Sequence, residues 1–262
     1  MNKTMLIYRD YDGLGDWIMA MSVIKMVNLT YPNINVYVRH TLKNRGALPY
    51  LIRQIINGFD CKIHATVYNN SDRKFDYVSG HLVYRRNERN HFVRGMIDVL
   101  NERTRLSIDF DSKNLSNYIG NAKEITVPKK YILMHSGGKR QSVSRSGKDW
   151  GTNNFNKLAY ILSKNYEIVQ IGKESDEFLN TAKYKYLGVD LSTLHYLMSN
   201  CLCFIGISDG LSVYAGHHNI NQFTVFCNEQ DKYRNTYKNQ VRLNCFQPND
   251  IAYLILKELE KV

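Results

Sequence analysis

Short apolar runs alternate with stretches of helical spacing along the first half of the chain. The runs suit buried strands, and the stretches between them place apolar residues three and four positions apart, as one face of a helix requires. Strands are predicted at 5–8, 34–38, 61–67 and 75–78, and helices at 16–29 and 48–56. Strands that alternate with helices in this way indicate a parallel sheet with helices on both faces.

The same alternation restarts after a polar, weakly patterned stretch at 110–127. Strands are predicted at 131–134, 166–171, 202–206 and 223–226, and helices at 155–163, 192–199, after Gly210 and at 249–261. We therefore predict an α/β protein with two Rossmann-like domains, residues 1–125 and 126–262, whose parallel sheets face a central cleft. Ligands of open α/β sheets bind outside the carboxyl ends of the strands, so this cleft is the predicted binding site.

Composition places the chain among globular proteins, since 44% of its 262 residues are hydrophobic and 23% are charged. No apolar run approaches the roughly 20 residues that a membrane-spanning helix needs, and the N-terminus has no signal-peptide core. We therefore predict a cytoplasmic protein without an integral membrane segment. The five cysteines form no metal-ligand spacing, and three of them sit in apolar runs, which suits small buried residues of a reducing compartment.

The net charge of +11 is spread over both halves of the chain. It is locally concentrated in two basic stretches, at 85–94 and 139–148, where four arginines or lysines fall close together. A positive surface of this kind attracts polyanions, so a polyanionic partner is one interpretation. A solvated basic face without a partner is the other, and the charge pattern does not separate them.

The most informative stretch lies at 205–216. An apolar run ends in the small polar loop Ser208-Asp209-Gly210, and a helix-like run of small residues follows. The unpaired N–H groups and the positive dipole end of a helix N-terminus both favour an anion, and Gly210 permits close backbone approach. The loop therefore predicts a phosphate site, with a plain strand-to-helix turn as the alternative.

Other common nucleotide motifs do not fit. Gly13-Leu14-Gly15 resembles the start of a dinucleotide fingerprint, but the third glycine would fall at Ile18 and the second strand has no acidic residue after it. The run at 136–140 lacks the glycine spacing of a P-loop. The sequence also shows no Ser/His/Asp order and no His/Cys cluster, so hydrolase and metalloenzyme functions have little support.

Three segments taken together resemble one known family. They are Gly-Leu-Gly-Asp-Trp-Ile-Met-Ala at 13–20, Lys-Asp-Trp followed by Asn-Phe and Leu-Ala at 148–159, and the loop region at 205–216. Their pattern resembles the heptosyltransferase-type family of bacterial glycosyltransferases, which have the GT-B fold. The chain departs from the family pattern in three ways: its loop acid, Asp209, falls one place late, Leu211 replaces a proline, and Val213 replaces a histidine.

The resemblance implies an inverting, metal-independent transferase that uses a nucleotide-sugar donor and no other cofactor. It implies that Asp16 is the catalytic base, with a helix-capping role as the alternative. The N-terminal domain would bind the acceptor and the C-terminal domain the donor. The implied donor contacts are Ser136, Lys148, Glu174, Ser208, Asp209, Gly210 and Leu211, and the implied acceptor contacts are Gly15, Trp17, Arg85 and Arg86. The alternatives are a surface lysine for Lys148, a solvated turn acid for Glu174, and a core role instead of stacking on a sugar or a base for Trp17.

Three functions remain open at this point. The acceptor is narrowly predicted to be a hydroxymethylated base of DNA, as for some bacteriophage enzymes, because the chain is short, basic and rich in Asn, Lys and Tyr. Arginines on both sides of the site would then neutralise phosphates. The alternatives are a lipopolysaccharide-core transferase, the usual role in the family, and a non-catalytic protein that binds a nucleotide sugar or nucleic acid.

Overall fold

A computed structural model describes residues 3–9, 13–40, 50–63, 75–81, 91–137, 150–227, 237–244 and 246–261. The chain divides into two compact units, Met1–Gly120 and Asn121–Val262. Each unit has its own parallel sheet. The assignment of acceptor binding to the first half and donor binding to the second stays a prediction.

The first unit contains a three-stranded parallel sheet in the order β2-β1-β3. Helix α1 is apolar on all sides and is buried from Gly15 to Val27 with few interruptions, as a helix in the centre of a core must be. The sequence of elements is β1 (Lys3–Arg9), α1 (Leu14–Thr30), β2 (Ile34–His40), α2 (Tyr50–Gly58), β3 (Tyr77–His81), α3 (Phe92–Thr104) and a 3-10 turn at Ser112–Asn114.

A charged network ties the end of the first unit to α1. The Lys25 ammonium lies 2.6 Å from Asp60 Oδ2, and both side chains are largely buried. The other carboxylate oxygen of Asp60 accepts hydrogen bonds from Ser116 Oγ at 2.8 Å and from the Asn117 N–H at 2.7 Å. The Ser116 N–H in turn donates to Ser22 Oγ of α1. The last residues of this unit are therefore held against the helix that carries Asp16.

The second unit contains a six-stranded, all-parallel sheet in the order β6-β5-β4-β7-β8-β9. Renumbered from its own first strand, this is the 3-2-1-4-5-6 order of the doubly wound dinucleotide-binding fold. Its elements are β4 (Tyr131–His135), α4 (Thr152–Leu162), β5 (Glu167–Gly172), β6 (Tyr184–Leu187), α5 (Leu191–Asn200), β7 (Cys203–Ile207), α6 (Gly210–His217), β8 (Gln222–Phe226), β9 (Gln240–Asn244) and α7 (Pro248–Leu259).

The predicted α/β class with parallel sheets is confirmed. The structure also contains three elements that are absent from the prediction, β6, β9 and α3. Strands β6 and β9 are the two edges of the larger sheet and are only partly buried, so they lack the continuous apolar run of a central strand. Helix α3 does carry buried residues at helical spacing, Val93, Met96, Ile97 and Leu100, a signal that the prediction omits.

Two further expectations need correction. The strand predicted at 61–67 is wrong for residues 61–63, which form no strand, while residues 64–67 lie outside the described residues. Cys61, Cys201 and Cys203 are free thiols, but Cys227 is disulfide-bonded, which differs from the expectation drawn from a reducing compartment. No helix within the described residues is long and apolar enough to cross a bilayer.

Asp60→Ala should destabilise the protein by about 1.5–3 kcal/mol, the range for a hydrogen bond to a charged group, because it leaves the partly buried Lys25 ammonium without its carboxylate. It would also strip acceptors from Ser116 and the Asn117 N–H. Urea-induced unfolding measures the change. The matched control is Asp98→Ala on exposed α3 surface, with an expected change within about 0.5 kcal/mol. Equal effects in the two variants would contradict the assigned role of the network.

Candidate active site

In the sheet of the second unit, the chain adds β5 and β6 on one side of β4 and then adds β7, β8 and β9 on the other side. The point at which the order of the strands reverses therefore lies between β4 and β7. Open α/β sheets bind ligands at such a switch point, outside the carboxyl ends of the strands. β4 ends at His135, which is in register with Gly206 of β7. The loop that follows β7 contains Ser208 and Asp209 and leads directly into α6. The predicted phosphate loop therefore lies at the position where this type of sheet places its ligands.

His135 and Asp209 form a hydrogen bond across this switch point. His135 Nε2 lies 2.8 Å from Asp209 Oδ2, and His135 Nδ1 lies 3.1 Å from the Ile171 carbonyl oxygen. A carbonyl oxygen only accepts hydrogen bonds, and so does an ionised carboxylate. Both ring nitrogens must therefore carry protons to make these contacts. The geometry corresponds to an imidazolium facing a carboxylate.

The electrostatics agree with the geometry. Burial by itself would lower the pKa of His135. The charge and the hydrogen bond of Asp209 act in the opposite direction, and as a result the pKa of His135 lies above its ordinary value. Burial raises the pKa of Asp209, whereas the imidazolium and the N–H groups of Leu211 and Ser212 lower it, and the net pKa lies below its ordinary value. The charged pair thus persists from below pH 3.8 to above pH 6.5.

A second carboxylate faces the same imidazole. Asp176 Oδ2 lies 3.7 Å from His135 Nδ1 and accepts a hydrogen bond of 2.8 Å from the Lys173 N–H. The Asp176 side chain is 1% exposed, and its Oδ1 has no hydrogen-bond partner in the described part of the chain. A side chain at Gly172 would collide with this carboxylate, so the glycine lets Asp176 approach the ring.

The start of α6 differs in one respect from the predicted phosphate site. Asp209 is the N-cap, and its Oδ1 accepts the N–H groups of Leu211 at 3.0 Å and Ser212 at 3.3 Å. The Leu211 N–H is therefore used within the helix cap, and the contact of Leu211 with a donor stays a prediction. The Gly210 N–H and the Ser208 hydroxyl have no hydrogen-bond partner among the described residues, and they are the donors still available to an anion.

Two other predicted donor contacts lie at the same edge of the sheet. Glu174, in the turn after β5, is exposed, and its carboxylate makes no hydrogen bond to a described residue. The Glu174 side chain packs over Gly188, where a side chain would collide with it. Gly188 also has a φ of +67°, a left-handed conformation that glycine adopts without strain. Ser136 is 1% exposed, with Oγ 3.5 Å from the Gly137 carbonyl oxygen. The contact of Ser136 with a donor stays a prediction.

In the first unit, Asp16 occupies the first turn of α1 and is half-buried. The N-cap is Gly13, and a Cβ there would lie 2.7 Å from Asp16 Oδ2, so the glycine permits the carboxylate to fold back over it. Trp17 is 0% exposed and Gly15 is buried. The burial of the indole favours the core role, the alternative to stacking for Trp17, and the contacts of Trp17 and Gly15 with an acceptor stay predictions.

The remaining predicted residues, Lys148, Arg85 and Arg86, lie outside the described residues. Within the part of the chain that the structure describes, no group of three or more His, Cys, Asp or Glu side chains is arranged to hold a metal ion. His135 was not among the predicted site residues. Its sequence signal is a polar residue that closes an otherwise apolar strand, Tyr-Ile-Leu-Met-His.

Comparison with known proteins identifies the fold. The structure matches the E. coli heptosyltransferase WaaC with ADP over 97% of this chain and 99% of that one, at 11% identity and a TM-score of 0.69. It matches a family 9 glycosyl transferase from Veillonella parvula over 100% and 98%, at 13% identity and a TM-score of 0.71. It matches the E. coli ADP-heptose lps heptosyltransferase II over 99% of each chain, at 12% identity and a TM-score of 0.68.

The chain has the GT-B fold of these glycosyltransferases. The predicted resemblance to heptosyltransferase-type proteins is thus confirmed at the level of the fold. No protein-family model and no curated protein sequence matches the chain. Sequence identities of 11–13% show a shared fold and do not show a shared reaction. The activity therefore follows only from the residues at the site.

Asp209→Asn should lower the free energy of unfolding at pH 6 by about 1.5–3 kcal/mol, the range for a hydrogen bond to a charged group. The stabilisation from a raised histidine pKa is present below pH 6.5 and is lost as the pH rises through the folded-state pKa of His135. The cost should therefore shrink at pH 9. Denaturant unfolding at both pH values measures it.

The control for that variant is Asp190→Asn. Asp190 is the N-cap of α5 in the same unit and accepts the Thr193 N–H at 2.8 Å, and it has no histidine partner in the described residues. Asparagine caps helices about as well as aspartate, so the control should change stability by only about 0.5 kcal/mol at either pH. A cost for Asp209→Asn that does not vary with pH would contradict a charged pair.

Proposed function

We propose that the protein is a glycosyltransferase that uses a nucleotide-sugar donor. The observation that carries the proposal is the loop at the β4–β7 switch point, where Asp209 caps α6 and the Ser208 hydroxyl and the Gly210 N–H have no hydrogen-bond partner among the described residues. The shared fold with heptosyltransferases, one of them solved with ADP, supports the proposal.

The donor's diphosphate would bind at the loop after β7. The Ser208 hydroxyl and the Gly210 N–H would donate to its oxygens, at the positive end of the α6 dipole. Glu174, exposed at the same edge of the sheet, would accept hydrogen bonds from the nucleoside ribose. Lys148 would add a positive charge against the leaving diphosphate, a charge-assisted contact of the kind that stabilises phosphates.

Asp16 would be the general base. In an inverting transfer, the acceptor hydroxyl oxygen forms a bond to the anomeric carbon while the bond from that carbon to the diphosphate breaks. The hydroxyl proton passes to the Asp16 carboxylate, and the nucleoside diphosphate leaves with the bonding electrons. A carboxylate on the first turn of a buried helix, with Gly13 leaving it room, is held rigidly enough for this task.

The acceptor is proposed to be polyanionic, with a hydroxymethylated base of DNA narrowly preferred. The support is the net charge of +11 and the basic stretches at 85–94 and 139–148. One described member of the first stretch, Arg94, is exposed on α3 with its guanidinium 5.9 Å from the centre of the Phe110 ring. A lipopolysaccharide core is the alternative, and it is favoured by the lps heptosyltransferase among the matched structures.

Asp16→Asn should reduce turnover by a factor on the order of 10² or more, since general acid–base catalysis contributes about 10²–10⁴. Asparagine has nearly the same shape and cannot take the proton, so donor binding and folding should be preserved. Turnover is measured as release of nucleoside diphosphate with donor and acceptor present. The control is Asp98→Asn on the surface of α3, and turnover of the Asp16 variant within a few fold of it would remove Asp16 from the mechanism.

The transfer is proposed to need no metal ion, with Lys148 and the helix start supplying the charge that a metal would otherwise bring. Turnover should therefore survive a large excess of chelator over protein. The measurement compares rates before and after chelation, with Mg²⁺ or Mn²⁺ added back in a third sample. Loss of activity that either ion restores would reject the metal-free scheme.

The acceptor proposals are separated by supplying each acceptor with a panel of nucleotide sugars and detecting the product by mass.

If DNA is the acceptor, the logarithm of the affinity for duplex DNA should fall with the logarithm of the salt concentration by about 0.9 per phosphate contacted. Replacing Arg85 and Arg86 together by Ala should reduce that slope by about one to two on all sequences alike. Product only with a truncated core oligosaccharide, and duplex binding weaker than about 10⁻⁴ M, would establish the lipopolysaccharide alternative instead.

A further inference from the structure

An acidic N-cap is an unexpected feature at a site for a diphosphate. Asp209 places its carboxylate at the end of α6 that attracts anions, and its side chain is 28% exposed at that edge. An uncompensated negative charge here would repel the proposed donor. Capping alone does not require the charge, since asparagine and serine cap helices equally well.

His135 supplies the compensation. The ring nitrogen that faces Asp209 lies 2.8 Å from the carboxylate, and the imidazole is 6% exposed, so water screens the pair only weakly. In the part of the chain that the structure describes, the charged groups facing the ring are Asp209, from the start of α6, and Asp176, from the turn after β5. With the ring protonated, the His135–Asp209 pair carries no net charge, and without the proton it carries one negative charge.

We infer that His135 is a positioning residue for the nucleotide-sugar donor, whose imidazolium neutralises Asp209 at the start of α6 and so lets a diphosphate bind to Ser208 and Gly210. The inference rests on the proposed function, because it assumes that a nucleotide binds at this edge. When the ring loses its proton, the Asp209 carboxylate keeps its cap contacts to Leu211 and Ser212 and repels the diphosphate. Donor affinity therefore depends on the protonation state of His135.

The test measures binding of ADP and UDP to the full chain by calorimetry between pH 5.5 and pH 9. The affinity of the unaltered protein should fall by about tenfold across the upper part of this range, with a slope of at most one decade per pH unit, as expected for one proton. The phosphates of the nucleotide also titrate, near pH 6, so the informative quantity is the difference between variants at each pH.

His135→Gln should bind ADP and UDP more weakly than the unaltered protein at pH 6 and equally at pH 9, because a neutral amide cannot supply the charge. His195→Gln is the control. His195 lies on α5 in the same unit, where its Nδ1 is 3.0 Å from the Tyr214 hydroxyl, and its variant should follow the unaltered protein at every pH. Identical pH profiles for His135→Gln and the unaltered protein would overturn the role of His135.

A second measurement keeps the test decisive if His135→Gln folds poorly. NMR titration of the His135 ring in the unliganded protein should show two protonated nitrogens at pH 6, and Asp209→Asn should shift that titration to lower pH. A ring that is neutral at pH 6 would overturn the inference. Absence of ADP and UDP binding at every pH would overturn the proposed function and the inference with it, whereas binding with a neutral ring would overturn the inference alone.

Discussion

The hydrogen bond between His135 and Asp209 joins the ends of β4 and β7, the two strands between which the larger sheet reverses its winding. The two residues are 74 positions apart in sequence, and His135 Nε2 lies 2.8 Å from Asp209 Oδ2. The position is largely buried, so each charge is stabilised mainly by the other. The pair fixes the shape of the loop that leads into α6, because the same carboxylate caps that helix. The geometry of the proposed donor site therefore depends on one charged contact.

In the first unit, the helix that carries Asp16 is held in place by core packing and by a different ion pair. Helix α1 is buried almost throughout, and the Lys25–Asp60 pair holds the segment at 115–117 against it. A buried helix cannot rotate or shift without opening cavities, since protein interiors are closely packed. The first-turn carboxylate of Asp16 is thus presented from a fixed support. Both proposed chemical groups, the base and the phosphate loop, follow a parallel strand and start a helix.

The central strands could be predicted from the sequence because each contains a short, mostly apolar run bounded by polar residues. β4, β7 and β8 are buried along their whole length, and the few polar residues among them, His135, Gln222 and Thr224, do not break the pattern of a buried parallel strand. The edge strands β6 and β9 carry polar residues that face solvent, so their pattern is that of a loop. The polar stretch at 110–127, from which a boundary at 125 is predicted, spans the start of the second unit at Asn121.

The candidate site could be predicted only in part. Ser208, Asp209 and Gly210 stand out as a small polar loop between apolar runs, and Asp16 stands out at the start of a helix. The partnership of Asp209 with His135 depends on strand order and register, which no local pattern encodes. Burial is equally non-local: Trp17 suits a sugar-stacking role and a core role equally well until the packing of α1 is known.

The most direct test of the account is an NMR titration of the amide-labelled protein with ADP. ADP should cause its largest shifts at the amides of Ser208 and Gly210, with smaller changes near His135 and Glu174, all at the carboxyl edge of the larger sheet. Shifts confined to its amino edge, near His195 and His218, or none at any ADP concentration up to millimolar, would contradict the claim that the β4–β7 switch point is a nucleotide site.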